Sequence, residues 1–371
     1  MIKKNILIVS QAFFPENSPR SFRATELAKE FARLGHEVTV ITPRNESMHP
    51  WFEKEFGVLI KHMGNYTWKP VKIKGKGIEL LIRRILSRFS NLLFEYPGIQ
   101  LYWLVKKALK KEDGYDLMIS VAVPYPVHWG VAAARTKKNQ IAKVWVADCG
   151  DPYVGRENDT FKVPFYFRYV EKWFCRKADY LTVPTKGAIQ AYFREFHAKI
   201  KVISQGFRFE DIELYDGAIN NYKPVFAYAG AFIPGKRDPG ELLSYLCKQK
   251  LDFEFRIFTT TPSIVQPFVK LSNNRIKLMP VIPRKELLFE LSKLDFVVNV
   301  ENEGGRQTPS KLIDYVIINK PILSVKTGGL NKAVVDEFLS GNYQHRVIID
   351  EPDQYRIENV CSKFLSLIKN D

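Results

Sequence analysis

Thr308-Pro309-Ser310-Lys311, followed by Asp314, places hydroxyls, a cation and a carboxylate within one short stretch. A polar turn there opens a helix at Pro309, a residue suited to the first helical position. Unpaired N–H groups of a first turn, with the helix dipole, favour a phosphate. Thr308 and Ser310 add hydroxyls and Lys311 adds charge. Asp314 lies one turn beyond Ser310 on the same face, where a carboxylate can accept hydrogen bonds from both ribose hydroxyls. Gly304-Gly305 lets the backbone come close to a ligand. An ordinary capped helix with a solvated lysine accounts for the same residues. A second phosphate candidate runs from Gly230 through Gly235 to Lys236-Arg237. A strand ends there and the chain turns through glycines before a basic pair, which would stabilise charge on a diphosphate. A solvated basic loop is the alternative.

Such groups need a scaffold, and the sequence reads as α/β. Ile6-Leu7-Ile8-Val9 is a continuous apolar run, as expected of a strand buried on both faces of a parallel sheet. Phe13 to Pro19 is a loop by its prolines and polar residues. Helical spacing follows from Phe22 to Leu34, Gly35 caps it, and Glu37–Thr42 is the next strand. This is the opening of a doubly wound domain. Further strands are expected at 116–121, 142–148, 178–184 and 199–203. A polar, turn-rich connection at 205–223 marks a domain boundary, giving domains 1–205 and 206–371, with a C-terminal helix near 353–371 that can pack back on the first. The second series has strands at 225–230, 253–258, 296–300 and 321–325, with a helix at 310–318. Two doubly wound domains suggest a ligand in the crevice between them.

Length and composition agree with this. The chain has 371 residues, 46% hydrophobic and 26% charged, enough for two packed cores. Its four cysteines, at 149, 175, 247 and 361, have irregular gaps and no C-x-x-C pair. They read as free thiols in a reducing cytosol, with no structural zinc. The short apolar N-terminal run lacks the form of a signal peptide, and no uncharged apolar stretch of about 18 residues suggests a membrane span. A cytoplasmic location is expected.

Net charge is +16 and uneven: segment 54–111 holds 13 basic and 3 acidic residues. That points to an anionic partner. Within it, Leu81, Ile82, Ile85, Leu86, Phe89, Leu92, Leu93 and Tyr96 fall on one arc of a helical wheel, with Arg83, Arg84 and Arg88 outside it. Either the helix lies on an anionic membrane surface, making the protein peripheral on the inner face of the cytoplasmic membrane, or it packs its stripe on the sheet. No recognised motif supports nucleic-acid binding.

Several segments together resemble glycosyltransferase family 4, enzymes of the GT-B fold with two Rossmann-like domains facing a central cleft. They are Phe14-Pro15, Arg23 to Ala28, Gly35 to Thr42, Val202 to Gly206, Tyr228-Ala229-Gly230, and Thr308 to Tyr315 followed by Asn319 to Leu323. The resemblance implies sugar transfer from a nucleotide-sugar donor, a nucleoside-diphosphate sugar, to a saccharide or lipid-diphosphate-linked acceptor, as in surface-polysaccharide assembly. It also implies retention of configuration, no cofactor and no metal. Asp113-Gly114-Tyr115-Asp116 has the wrong spacing for a D-x-D metal motif.

Residue by residue, the resemblance places Gly230, Lys236, Thr308, Ser310, Lys311 and Asp314 at the donor, with Arg237 standing in for a family arginine that is Ala231 here. A family glutamate that contacts the donor sugar falls on Arg306, reversing its charge. Val123 to His128 is similar to a "P-x-P-x-H" loop whose histidine lies near the reacting centre, so His128 is expected to hydrogen-bond the donor or assist the acceptor. Asp148 to Asp151 resembles "D-x-R-D" with Gly150 in place of arginine, making Asp151 a candidate base. Arg23 is expected near the cleft, against phosphate or an anionic acceptor. A nucleotide-sugar 2-epimerase and a non-catalytic GT-B-like scaffold are the rival readings.

Overall fold

The computed structural model describes residues 2–74, 76–155, 162–301 and 311–368, with the side chain of Lys311 outside the description. The chain forms two compact units, Met1–Phe207 with Ile357–Asp371, and Arg208–Arg356.

The first unit runs β1 (Asn5–Ser10), α1 (Pro19–Arg33), β2 (Glu37–Thr42), α2 (His49–Phe56), β3 (Leu59–His62), α3 (Gly77–Phe94) and α4 (Gln100–Ala108). It continues with β4 (Tyr115–Ala122), α5 (Pro126–Ala134), β5 (Ala142–Cys149), α6 (Phe167–Lys177), β6 (Tyr180–Val183) and β7 (Ile200–Val202). The sheet order is β3-β2-β1-β4-β5-β6-β7, all parallel. β1 is an interior strand, with Ile8 opposite Val40 and Ile119. Leu7 and Val9 enter the core on one face, Ile6 and Ile8 the core on the other. That two-sided burial is why β1 is apolar at successive positions.

The first helix begins earlier than its apolar spacing predicts. Ser18 accepts a hydrogen bond from the Ser21 N–H and Pro19 takes the first turn, so the end of the expected loop is a helix cap. Ala24, Leu27, Ala28 and Phe31 are fully buried. They pack with Ile357, Val360, Cys361 and Phe364 of α12 (Ile357–Leu365). Gly206 lets the chain pass this helix: a Cβ there would lie 2.8 Å from Val360 Cγ2 and 3.0 Å from Ile357 Cα.

The second unit runs β8 (Val225–Ala229), α7 (Gly240–Cys247), β9 (Glu254–Phe258), α8 (Pro262–Leu271), β10 (Ile276–Met279), α9 (Arg284–Ser292), β11 (Phe296–Val300), α10 (Lys311–Ile318), β12 (Ile322–Val325) and α11 (Lys332–Leu339). Its parallel sheet has the order β10-β9-β8-β11-β12. Phe226 and Tyr228 point into one core, Val225 and Ala227 into the other.

Helix α3 has no buried residue among its eighteen. Leu81, Ile82, Ile85, Leu86 and Phe89 are each 45–56% exposed. The stripe therefore does not pack on the sheet of its own unit. No helix among the described residues is long and apolar enough to cross a membrane.

Candidate functional site

In an open parallel sheet, ligands bind outside the carboxyl ends of the strands where the winding reverses. In the second unit that point lies between β8 and β11. β8 ends at Ala229, and Gly230 follows, whose φ of +139° suits glycine and whose N–H donates to Phe258 O. The loop beyond is tightly tied. Arg237 N donates to Ile233 O at 2.8 Å. Thr327, just past β12, accepts from Asp238 N at 2.9 Å and donates to Lys236 O at 3.2 Å. Lys236 and Arg237, both half-buried, are thus held by backbone contacts at the carboxyl edge. Glu301 follows β11 at that edge and accepts from Ser324 Oγ at 2.9 Å.

Helix α10 starts at Lys311 on the same side of the fold, since it follows the carboxyl end of β11. Arg306, Thr308 and Ser310 lie outside the described residues. Asp314 is paired: Arg284 Nε donates to its Oδ1 at 2.8 Å, and Arg284 Nη2 donates to the same oxygen. Oδ2 makes no hydrogen bond with the described residues. Burial pushes the Asp314 carboxyl up, and Arg284 opposes this without cancelling it. The sequence reading missed Arg284. Pro283 before it, a helix-start signal, was the available clue.

The first unit revises two expectations. Arg23 does not face an open cleft. Its side chain is buried against Asp148, with Nε to Oδ2 at 3.0 Å and Nη2 to Oδ1 at 2.9 Å. It also donates to Ser204 O and Ile203 O, and stacks over Phe364 at 5.1 Å. Four of the five N–H groups of that guanidinium are engaged inside the unit, so Arg23 is a buried tie between elements of the fold. Burial alone would raise the Asp148 carboxyl. The Arg23 charge, with hydrogen bonds from Arg23 and Thr182, holds it below the usual carboxylate range instead.

His128 is also removed from the surface. It is fully buried, with Nδ1 2.8 Å from Ser120 Oγ and Nε2 3.6 Å from Cys149 Sγ. Trp145 Nε1 donates to the same Ser120 oxygen at 2.8 Å, and Cys149 Sγ lies 3.4 Å from Ala147 O. One proton assignment satisfies all of them. The indole donates to Ser120, the serine hydroxyl to Nδ1, Nε2–H to sulfur, and the thiol to the carbonyl. Burial lowers the His128 pKa to about 3, so the ring is neutral. The imidazole is thus held in the core of the unit by contacts on both ring nitrogens.

Asp151 does lie at the carboxyl edge, just past β5. Its side chain is 46% exposed and paired with Arg20 of α1. Tyr125 Oη donates to Asp151 O at 2.5 Å, fixing the loop. At Gly150 an added Cβ would lie 1.6 Å from Arg20 Nη1. The guanidinium of Arg20 thus occupies the space beside Gly150, at the position where the resembled motif carries its own arginine. Arg20 was not singled out from the sequence, because nothing local links residue 20 to residue 151. Near the ends of β1 and β2, a cavity of about 310 Å³ is lined by Phe14, Glu16, Thr42, Asn45 and Tyr66 among others.

The profile of Glycosyltransferase Family 4 matches residues 22–210. Among solved structures, a glycosyltransferase from Rickettsia africae is 14% identical, each chain covered completely, with a TM-score of 0.62. TarM of S. aureus is 12% identical over 100% of this chain and 99% of that one, with a TM-score of 0.64. Anabaena HepE, in complex with UDP and glucose, is 12% identical over 98% of both chains, with a TM-score of 0.60. Among curated proteins none matches in sequence. With two parallel Rossmann-like sheets of seven and five strands and a profile match spanning half its length, the chain belongs to glycosyltransferase family 4 and has the GT-B fold.

Proposed function

We propose that this protein transfers a sugar from a nucleoside-diphosphate sugar to a hydroxyl of a saccharide or lipid-linked acceptor, with retention of configuration. The observation that carries the donor half is the carboxyl edge of the second unit. The Gly230 loop with Lys236 and Arg237, and the start of α10 with Asp314 on its first turn, follow the two strands at the switch point. In this reading Asp314 accepts the ribose hydroxyls. The first-turn N–H groups of α10, with Lys311, Lys236 and Arg237, neutralise the diphosphate as the glycosidic bond breaks. HepE binding UDP and glucose supports the choice of nucleotide. Thr308 and Ser310 belong to the same proposal, as does Arg306 beside the sugar.

In the first unit, Asp151 with Arg20 is the polar group placed to orient an acceptor hydroxyl. The exposed stripe of α3 and the basic residues around it support a peripheral place on an anionic membrane face, where surface polysaccharides are assembled.

Calorimetric binding of UDP and GDP, followed by a screen of nucleotide-sugar hydrolysis, tests the donor reading. Saturable diphosphate binding is expected. Absence of binding to either nucleotide would leave a GT-B scaffold without a donor and refute it.

A further inference from the structure

Two cavities of the first unit share a wall. One, of about 780 Å³, opens beside the C-terminal end of α3, and its lining is almost wholly apolar. Leu93 and Phe94 of α3, Tyr96, Trp129 of α5 and Trp173 of α6 contribute to it. The other, of about 600 Å³, is mixed, with Met63 and Leu104 beside Asn65, Thr67, Lys107 and Lys111. Trp68 and Trp103 line both. Their rings lie 5.4 Å apart, and Trp68 stacks on Tyr96 at 5.8 Å.

This partition is held in place. Buried Gln100, the first residue of α4, accepts through Oε1 from Thr67 N, Thr67 Oγ1 and Trp68 N at 3.0, 2.9 and 2.7 Å. Trp68 is therefore pinned at its backbone, with its indole left in the wall. On the apolar side, Tyr166 donates to Leu93 O and so ties the segment before α6 to α3. On the basic side, Lys107 and Lys111 are exposed and form no ion pair with the described residues, while nearby Lys61 is already matched by Glu112 at 2.8 Å. An apolar compartment beside unmatched cations calls for a ligand with both characters. A purely apolar ligand would leave the lysines unused, and a free anion would leave the aromatic compartment uncovered.

We infer that the pair of cavities binds the acceptor itself, as a long-chain hydrocarbyl phosphate or diphosphate. The chain lies in the aromatic cavity and the phosphate meets Lys107 and Lys111 across the Trp68–Trp103 wall. The second cavity includes His62 and Met63, at the carboxyl end of β3, on the same side of the sheet as the switch point between β1 and β4. That address favours a substrate over a bulk bilayer lipid. The exposed stripe of α3 runs toward Leu93 and the cavity mouth, which gives a chain a continuous apolar path. This assignment rests on the reading that the acceptor is lipid-linked.

Four of the six tryptophans line the two cavities, so intrinsic fluorescence of the full chain reports on them. Titration with geranylgeranyl phosphate should give a saturable blue shift. The neutral alcohol geranylgeraniol should bind at least about tenfold more weakly, as expected from losing charge-assisted contacts. Lys107→Glu with Lys111→Glu should erase that difference, and Leu93→Arg should abolish the shift while the far-ultraviolet spectrum stays that of the native fold. The assignment is overturned by no saturable shift, by equal affinity for alcohol and phosphate, or by phosphatidylglycerol vesicles displacing the probe at equal lipid concentration. UDP calorimetry on the same samples separates the two readings. Nucleotide binding without prenyl phosphate binding refutes the lipid site and leaves the transferase. The converse refutes the donor site alone.

Discussion

Arg23 and Asp148 form a doubly hydrogen-bonded ion pair inside the first unit, with side chains only 4% and 5% exposed. The pair joins α1 to β5 and, through the carbonyls of Ile203 and Ser204, to the segment that leaves β7. Removing one partner strands a buried charge. Arg23→Ala is expected to cost about 3–5 kcal/mol of stability, read as a shift in urea midpoint at pH 7. A loss below about 1 kcal/mol would show that the pair is not structural.

The same pair fixes a pH dependence. The folded pKa of Asp148 is depressed, so its contribution is complete above the ordinary aspartate value near pH 4 and is lost as pH falls through the lower folded value. Acid unfolding curves should therefore be shallower in Asp148→Asn than in the native protein. Parallel curves would remove Asp148 from the acid transition.

His128 acts in a different window. Its folded pKa of about 3 lies below that of a free imidazole, so the native state resists protonation that the unfolded chain accepts. Stability should be complete above roughly pH 6.5 and fall below it, by up to about 1.4 kcal/mol per pH unit. Denaturation midpoints between pH 4 and 7 should flatten in His128→Asn. The pH profile of sugar transfer near neutrality should carry no limb from this ring, and a neutral-range limb that vanished in the variant would return His128 to the chemistry.

Gly150 and Arg20 offer a test of acceptor geometry. Only the far end of a flexible side chain meets the added Cβ, so Gly150→Ala should fold with stability within about 0.5 kcal/mol of native. It should still displace Arg20 from Asp151. Transfer kcat/KM is expected to fall about tenfold or more, with UDP affinity unchanged. Native kcat/KM in both Gly150→Ala and Arg20→Ala would show that the pair only ties the loop.

Asp314 is the donor-side counterpart. Asp314→Ala should weaken UDP binding by about 1–3 kcal/mol through lost charged hydrogen bonds. Because burial already raises this carboxyl, Arg284→Leu should raise it further. UDP affinity in that variant should then climb with pH over a higher range than in the native protein. Calorimetry from pH 5 to 8 checks both, and unchanged affinity in Asp314→Ala would end its ribose role.

The fold was legible because its signals are local. Apolar runs such as Ile6 to Val9 need no knowledge of distant residues, and Gly35 stops α1 by its own backbone freedom. The short β3 was not read, since only Ile60 among its four residues is buried. Site assignments held less well where they depended on partners far along the chain. Arg23 looks the same in sequence whether it meets a phosphate or Asp148, 125 residues away. A histidine after a strand likewise gives no sign that a serine, a tryptophan and a cysteine will enclose it. The α3 stripe shows the opposite case: periodicity found the apolar arc, but only the structure shows that the arc is uncovered within its unit.

Helix α12 completes the core of the first unit, yet it follows the whole of the second in sequence. Ile357 donates its N–H to Phe207 O at 3.0 Å, so the chain rejoins next to where it left. On the ribosome this sets an order of events. The apolar face of α1, including Phe31 and Leu27, must wait uncovered while residues 208–356 are made, and the second unit can finish folding first. The nascent first unit is then the part most in need of a chaperone, and a stop codon before residue 357 should harm the N-terminal half of the protein more than the half it shortens.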